Sequence, residues 1–136
     1  MKYGDGKERR TAAIVLCAGR GERVGLGYNK VLYMLGGEPV AVLSMKAFIS
    51  AGADQVLCVI SPADDGVLTD YARELGADVC TGGDTRTESV RRALAALESD
   101  TEIVLIHDGA RPYVTADIVA EAAECAAKYG SGITAV

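Results

Sequence analysis

Four glycines, Gly19, Gly21, Gly25 and Gly27, break the apolar run at residues 12–17. Two cations, Arg23 and Lys30, stand inside and just beyond that break. Glycine leaves backbone N–H groups unshielded, so such a loop can close on a phosphate, and nearby cations neutralise charge that the amides only partly offset. The layout is that of a polyphosphate site. Neither of two familiar glycine loops fits it. A dinucleotide fingerprint needs G-x-G-x-x-G opening a helix, with an acid about 20 residues on. Here Val24 takes the third glycine position, and residues 31–35 read as a short extended piece. A Walker A loop needs Gly-Lys followed by Ser or Thr. Lys30 instead lies between Asn29 and Val31.

The elements that must hold this loop alternate. Apolar runs at residues 12–17, 55–60, 77–81 and 102–107 read as strands, continuous enough for a sheet covered on both faces. Helices are expected over 39–50, from Ser61-Pro62 to Gly76, from Thr85 onward, and from Thr115 to Tyr129. Their inward faces are read as Val40, Leu43, Ala47 and Phe48; then Val67, Leu68, Tyr71 and Leu75; then Val90, Ala93, Leu94 and Leu97. Thr85 and Glu88 fit a capping box. Residues 132–136 look like the opening of another strand, and residues 1–10 like a mobile polar lead-in. The pattern predicts an α/β fold of three layers, with a mostly parallel sheet and right-handed crossovers.

In an open parallel sheet, ligands bind outside the carboxyl ends of the strands. Three unusual segments fall at such ends: 18–30, 82–89 and 107–112. Each has an ordinary reading as well. Arg23 and Lys30 could be solvated charges, Asp84 a turn former, Asp108 a turn cap and Ser89 a first-turn helix residue. Glu88 reads as a cap rather than a catalyst, and His107 as a hydrogen-bonding strand-end residue rather than a ligand. Arg86 stays open between a helix-start cation and a phosphate contact.

The chain has 136 residues, 49% of them hydrophobic, which is one domain by size with enough apolar material for a core. A net charge of −5 argues against a general nucleic-acid or membrane surface, so any phosphate must be held by local cations. The four cysteines, Cys17, Cys58, Cys80 and Cys125, form no C-x-x-C pair and read as free thiols. The polar N-terminus shows no signal peptide, and no apolar run reaches the length of a membrane span. A cytoplasmic location is expected.

Taken together, A-G-R-G-E-R followed by Lys30, G-G-D-T-R-T-E-S and H-D-G-A-R-P resemble the methylerythritol-phosphate cytidylyltransferase family of isoprenoid biosynthesis, across residues 12–136. The resemblance implies a Rossmann-like nucleotidyltransferase fold. It implies transfer of CMP from CTP to 2-C-methyl-D-erythritol 4-phosphate, with release of pyrophosphate and use of Mg2+. By position, Ala18, Gly19, Arg20 and Gly21 line the triphosphate, while Arg23 and Lys30 stabilise charge at the attacked phosphate. Gly83, Asp84 and Ser89 hold the cytosine end. Asp108 sits by the metal and the substrate, and Arg111 meets the polyol phosphate. Ribitol-phosphate cytidylyltransferases are the near alternative; a sugar-nucleotide transferase of this fold and a non-catalytic nucleotide-binding module are more distant ones.

Three departures stand out. Leu16 and Cys17 take the place of the family's usual proline and alanine, and Val24 that of a methionine. The family chain also runs well past this length, carrying a further essential lysine, substrate-binding residues and a dimer-forming arm. The expectation is therefore residues 1–11 as a lead-in and 12–136 as the nucleotide-binding part of the domain, incomplete at its C-terminus. Such a chain is expected to be inactive alone and to dimerise when complete.

Overall fold

The computed structural model describes residues 1–19 and 29–134. Four parallel strands form the sheet: β1 (Thr11–Leu16), β4 (Gln55–Ile60), β5 (Asp78–Thr81) and β6 (Ile103–Asp108), in the order β5-β4-β1-β6. β2 (Met34–Leu35) and β3 (Glu38–Pro39) make a small antiparallel pair beside it. The helices are α1 (Val40–Ser50), α2 (Val67–Glu74), α3 (Arg86–Ala96) and α4 (Ala116–Tyr129).

The two central strands are the two continuous apolar runs, and every residue in them is buried. Alternation along them splits the core. Ala13, Val15, Val56, Cys58 and Ile60 face a layer containing Met45 and Phe48 of α1, Leu68 and Ala72 of α2, and Val119 and Ala123 of α4. Ile14, Leu16, Leu57 and Val59 face Ala93 of α3. The three layers follow from this two-sided burial. The register sets Leu16 level with Val59 on one side and with Asp108 on the other, and pairs Ile60 with Thr81. All four carboxyl ends therefore open on one edge.

Several boundaries differ from the sequence reading. Residues 1–10 are not a loose lead-in. Tyr3 is 4% exposed and shares a 2.7 Å hydrogen bond between its hydroxyl and that of Thr11. Lys2 and Glu8 form an antiparallel bridge. Burying one aromatic ring offsets the cost of ordering a short polar segment. Residues 31–35 are not simply extended: a 3-10 turn, Lys30–Leu32, comes first. After β2 the chain reverses at Gly36 and Gly37, whose φ of +62° and +88° suit a two-residue hairpin turn.

The stretch from Ser61 is broken too. Pro62–Asp64 is a 3-10 turn, and Gly66, at φ +98°, separates it from α2. The inward faces shift accordingly. α1 buries Ala41, Ser44, Met45 and Phe48 with Val40, while Leu43 and Ala47 flank the stripe. Val67 is exposed, with Leu68 and Ala72 taking the core positions. Leu94 is half exposed beside the buried Ala93.

Residues 131–134 form no strand. A Cβ on Gly132 would meet Cys125 Cβ at 2.7 Å and Ala122 O at 3.2 Å, so this segment lies along α4 and not along the sheet. Ala135 and Val136 fall outside the described residues. No described helix is long and apolar enough to cross a membrane.

The start of β1 is pinned by one carboxylate. Asp54 Oδ2 accepts from Thr11 N–H and from the Met1 ammonium, both at 2.8 Å, and Asp54 N–H returns a bond to Thr11 O. Burial opposes the charge on Asp54, but these donors outweigh it and hold the carboxyl below its ordinary value. Asp54→Ala should lower stability by about 1–2 kcal/mol near neutral pH, because a buried N–H loses a charged acceptor. A group with a lowered folded-state pKa stabilises above its unfolded value and loses that effect as pH falls through the folded one. The gap between variant and parent in urea unfolding should therefore narrow towards pH 3. A constant gap would show that the carboxylate charge plays no part.

Candidate active site

The first loop is held at both ends. Cys17 N–H donates to Val59 O at 2.8 Å, continuing the β1–β4 ladder past Leu16. Its hydrogen bond with Cys58, then its burial, push the Cys17 thiol well above its usual range, so it is a neutral packing group. Asn29 is buried and closes the far end. Its Nδ2 donates to Cys17 O at 2.6 Å and to Asp64 Oδ2 at 2.8 Å, while Oδ1 accepts from Val31 N–H at 3.3 Å. Asp64 also accepts from Ser61 Oγ at 2.7 Å, which links the clamp to the end of β4. Gly19 and Lys30 are exposed, and Ala18 is half buried. Arg20, Gly21 and Arg23 lie outside the described residues.

The second loop leaves β5. A Cβ on Gly82 would fall 2.7 Å from Ser89 Oγ, 2.9 Å from Ala18 Cβ and 3.2 Å from Val59 Cγ1. The first and second loops thus touch, and only glycine fits between them. Ser89 is buried and its Oγ accepts from Gly83 N–H at 3.0 Å. Thr85 caps α3 as expected, with Glu88 N–H donating to its Oγ1 at 3.1 Å. Glu88 reaches back one residue further than a standard box: its Oε2 accepts from Asp84 N–H at 3.2 Å. Arg92 donates to Gly82 O at 3.0 Å and to Glu88 Oε1 at 2.6 Å. That contact with Arg92, then the Asp84 N–H bond, holds the Glu88 carboxyl low. Gly83 and Asp84 are thereby fixed through their backbone, and the Asp84 side chain stays exposed.

The third loop follows β6. Asp108 Oδ1 accepts from Ala110 N–H at 3.0 Å, and Arg111 N–H donates to Asp108 O at 3.0 Å. Arg111 Nε lies 3.8 Å from Asp108 Oδ2, with the guanidinium 79% exposed. His107 Nε2 lies 2.9 Å from Arg111 O, and its ring packs on Phe48 with centroids 5.4 Å apart. It is a strand-end hydrogen-bonding residue, as its sequence context suggested. Gly109 N–H donates to Leu16 O at 2.9 Å, joining the third loop to the first.

A surface with glycine loops, an exposed lysine and an exposed guanidinium beside a carboxylate suits a phosphorylated ligand. Among the described residues no group of three or more His, Cys, Asp or Glu side chains could hold a metal by itself. A family model described as 2-C-methyl-D-erythritol 4-phosphate cytidylyltransferase matches residues 11–136. The chain belongs to that family. A cytidylyltransferase of this name from Geobacillus kaustophilus is 40% identical over 129 residues, which cover 91% of this chain and 56% of the relative. One from Streptomyces coelicolor is 41% identical over 117 residues, covering 81% and 43%. Among solved structures, a nucleotidyl transferase from Methanothermobacter superposes with a TM-score of 0.72 at 26% identity, covering 86% of this chain and 58% of that one. The 4-diphosphocytidyl-2C-methyl-D-erythritol synthase from Anaerococcus prevotii gives 0.75 at 24% identity, covering 88% and 52%, and shows the same fold. The chain spans about half the length of the curated relatives it matches.

Three residues that sequence reasoning passed over shape this family member's site: Asn29, Gly82 and Gly109. Gly82 and Gly109 stood inside motifs already singled out, but close approach between loops is a tertiary fact. Asn29 offered a faint signal as a polar residue ending a glycine loop.

Proposed function

We propose that residues 12–136 form the nucleotide-binding part of a cytidylyltransferase that moves CMP from CTP to 2-C-methyl-D-erythritol 4-phosphate and releases pyrophosphate. The observation that carries this is the joining of three loops at one sheet edge: Gly82 against Ala18, and Gly109 against Leu16 and Cys17. Membership of the family supports it. Ala18 and Gly19, with Arg20 and Gly21, take the triphosphate. Gly83, Asp84 and Ser89 take the cytosine edge, and Arg111 takes the polyol phosphate. On the same resemblance the working form is a cytoplasmic homodimer.

An oxygen of the polyol phosphate attacks the α-phosphorus of CTP. A new P–O bond forms, the bond to the β-phosphate breaks, and the electron pair leaves on pyrophosphate. The attacking phosphate is already ionised near pH 7, so no strong base is needed. The work is positioning and charge stabilisation. Lys30 and Arg23 stabilise charge developing around the α-phosphate. Asp108 fits a magnesium ion in one respect: it is a part-exposed carboxylate with Oδ1 already oriented by Ala110 N–H. One carboxylate plus ligand phosphates is the donor set that magnesium prefers to an all-protein cage. When bound, the ion supplies neutralisation of phosphate charge.

Base choice tests this reading. Polar groups built for one base edge are left unpaired by another, and that penalty is large. In calorimetric titrations of the 136-residue chain with magnesium present, CTP should bind at least about tenfold more tightly than ATP, GTP or UTP. Equal binding of all four removes the cytidylyl assignment.

A further inference from the structure

Ser44 is fully buried in the middle of α1, amid Val40, Ala41, Met45 and Phe48. Its Oγ lies 3.2 Å from each of three carbonyl oxygens: Val40 O in its own helix, and Gly109 O and Arg111 O in the loop after β6. A serine has one proton to give. The commonplace use of a helical serine is back-bonding to the carbonyl four residues earlier. Here that carbonyl already has the α-helical N–H of Ser44 itself. Gly109 O is in a different position. Gly109 is buried, and among the described residues Ser44 Oγ is the donor within reach of its carbonyl. A buried carbonyl left without a donor is costly, so the loop has the stronger claim on the proton.

Arg111 O lies 3.2 Å from the same Oγ and 2.9 Å from His107 Nε2, so with the serine proton on Gly109 O the imidazole is its donor. The His107 ring rests on Phe48, one turn along α1 from Ser44. One helix therefore fixes this turn by two routes, a direct hydroxyl and a packed imidazole. Because the acceptor is a carbonyl, His107 must carry its proton on Nε2.

We propose that Ser44 is a positioning residue for the turn at residues 108–111, donating to the Gly109 carbonyl from inside the fold while His107 holds that of Arg111, so that Asp108 and Arg111 face the ligand edge. What the turn then captures, the phosphate of a polyol phosphate, rests on the functional reading above. Ser44 is too deep to touch a ligand and takes no part in the chemistry.

The chain has a single histidine, so its imidazole NMR spectrum reports on His107 alone. In the parent chain the ring should show the Nε2–H tautomer, and the amides of Gly109, Ala110 and Arg111 should exchange slowly. In Ser44→Ala those amides should exchange at least about tenfold faster and the ring should drift towards mixed tautomers, while amides of β1 and β4 keep their positions. Ser44→Thr, which keeps a hydroxyl, should restore the parent spectrum. Within a protein of the relatives' full length, binding of 2-C-methyl-D-erythritol 4-phosphate should be about fivefold or more weaker for the alanine variant. If Ser44→Ala leaves the turn amides and the ring at parent values, the serine serves only its own helix and the proposal falls. If the turn responds but a protein of the relatives' full length binds no polyol phosphate, Ser44 keeps its role and the functional reading fails instead. Should the alanine variant not fold, Ser44→Cys carries the comparison: its weak donor should give the same changes in smaller amplitude, and an unchanged turn again overturns the proposal.

Discussion

Replacing Gly109 by alanine is expected to cost about 1–3 kcal/mol, the usual penalty for forcing volume into a packed site. The new Cβ would lie 2.6 Å from Cys17 Sγ, 2.9 Å from Leu16 O and 3.3 Å from Val15 Cγ1. Cys17 is fully buried and cannot swing clear. Leu16 O is backbone and already accepts the Gly109 N–H. The easiest relief is movement of the loop after β6, which carries Asp108 and Arg111, so ligand binding should weaken along with stability. A second substitution separates this clash from other causes. Cys17→Ala alone leaves a small void and should destabilise modestly. In the Gly109→Ala background it removes the closest contact and should recover much of the loss, with a coupling energy of about 1 kcal/mol or more. Recovery should stop short of complete, because the Leu16 carbonyl remains. Thermal unfolding of the four proteins reads this directly. A Gly109→Ala chain that melts with the parent would show that the loop shifts at no cost. The Cys17 sulfur fits where it does because position 109 has no Cβ.

The layers and their order of elements were legible because both central strands are unbroken apolar runs, and only two-sided burial makes such runs favourable. Helix ends were legible where a side chain acts locally, as at Thr85 and Thr115, or where a glycine must turn left-handed, as at Gly130. Helix faces were less so. In α1 nearly every residue is apolar, so periodicity could not say which stripe met the sheet. The N-terminal segment was misread because one tyrosine ring decides its placement, and composition averages that away. For the candidate site, the types and spacing of Lys30, Asp84, Asp108 and Arg111 pointed to the carboxyl edge of the sheet, and the segments that carry them do leave the strands there. What holds them could not be read: the Asn29 clamp to Asp64 spans 35 residues, and the Ser44 bonds span 65 and 67.

The largest effect on chemistry is expected at Lys30. Its backbone is among the better fixed in the site. Asn29 before it is buried with three hydrogen bonds, Val31 after it is buried in the core, and a 3-10 turn runs through all of Lys30–Leu32. The lysine side chain alone projects into solvent. A cation so placed adds little to folding, and Lys30→Ala should change stability by no more than about 0.5 kcal/mol. On the functional reading proposed above, the same cation meets charge that grows as the α-phosphate is attacked, and it should matter far more to turnover. Within a protein of its relatives' full length, Lys30→Ala should slow pyrophosphate release from CTP and 2-C-methyl-D-erythritol 4-phosphate about a hundredfold or more, close to 3 kcal/mol. CTP affinity should fall much less, because an interaction made chiefly in the transition state lowers kcat without matching loss of ground-state binding. Lys30→Arg keeps the charge but spreads it over a planar fork, so it should recover only part of the rate. Arg23 carries the same expectation from its place in the glycine loop. The decisive measurement is kcat and CTP affinity for the parent and Lys30→Ala proteins, side by side with their melting temperatures. A variant with near-normal kcat would make Lys30 a solvated surface charge, and a variant whose affinity and kcat fall together would move it from transition-state stabilisation to simple nucleotide binding.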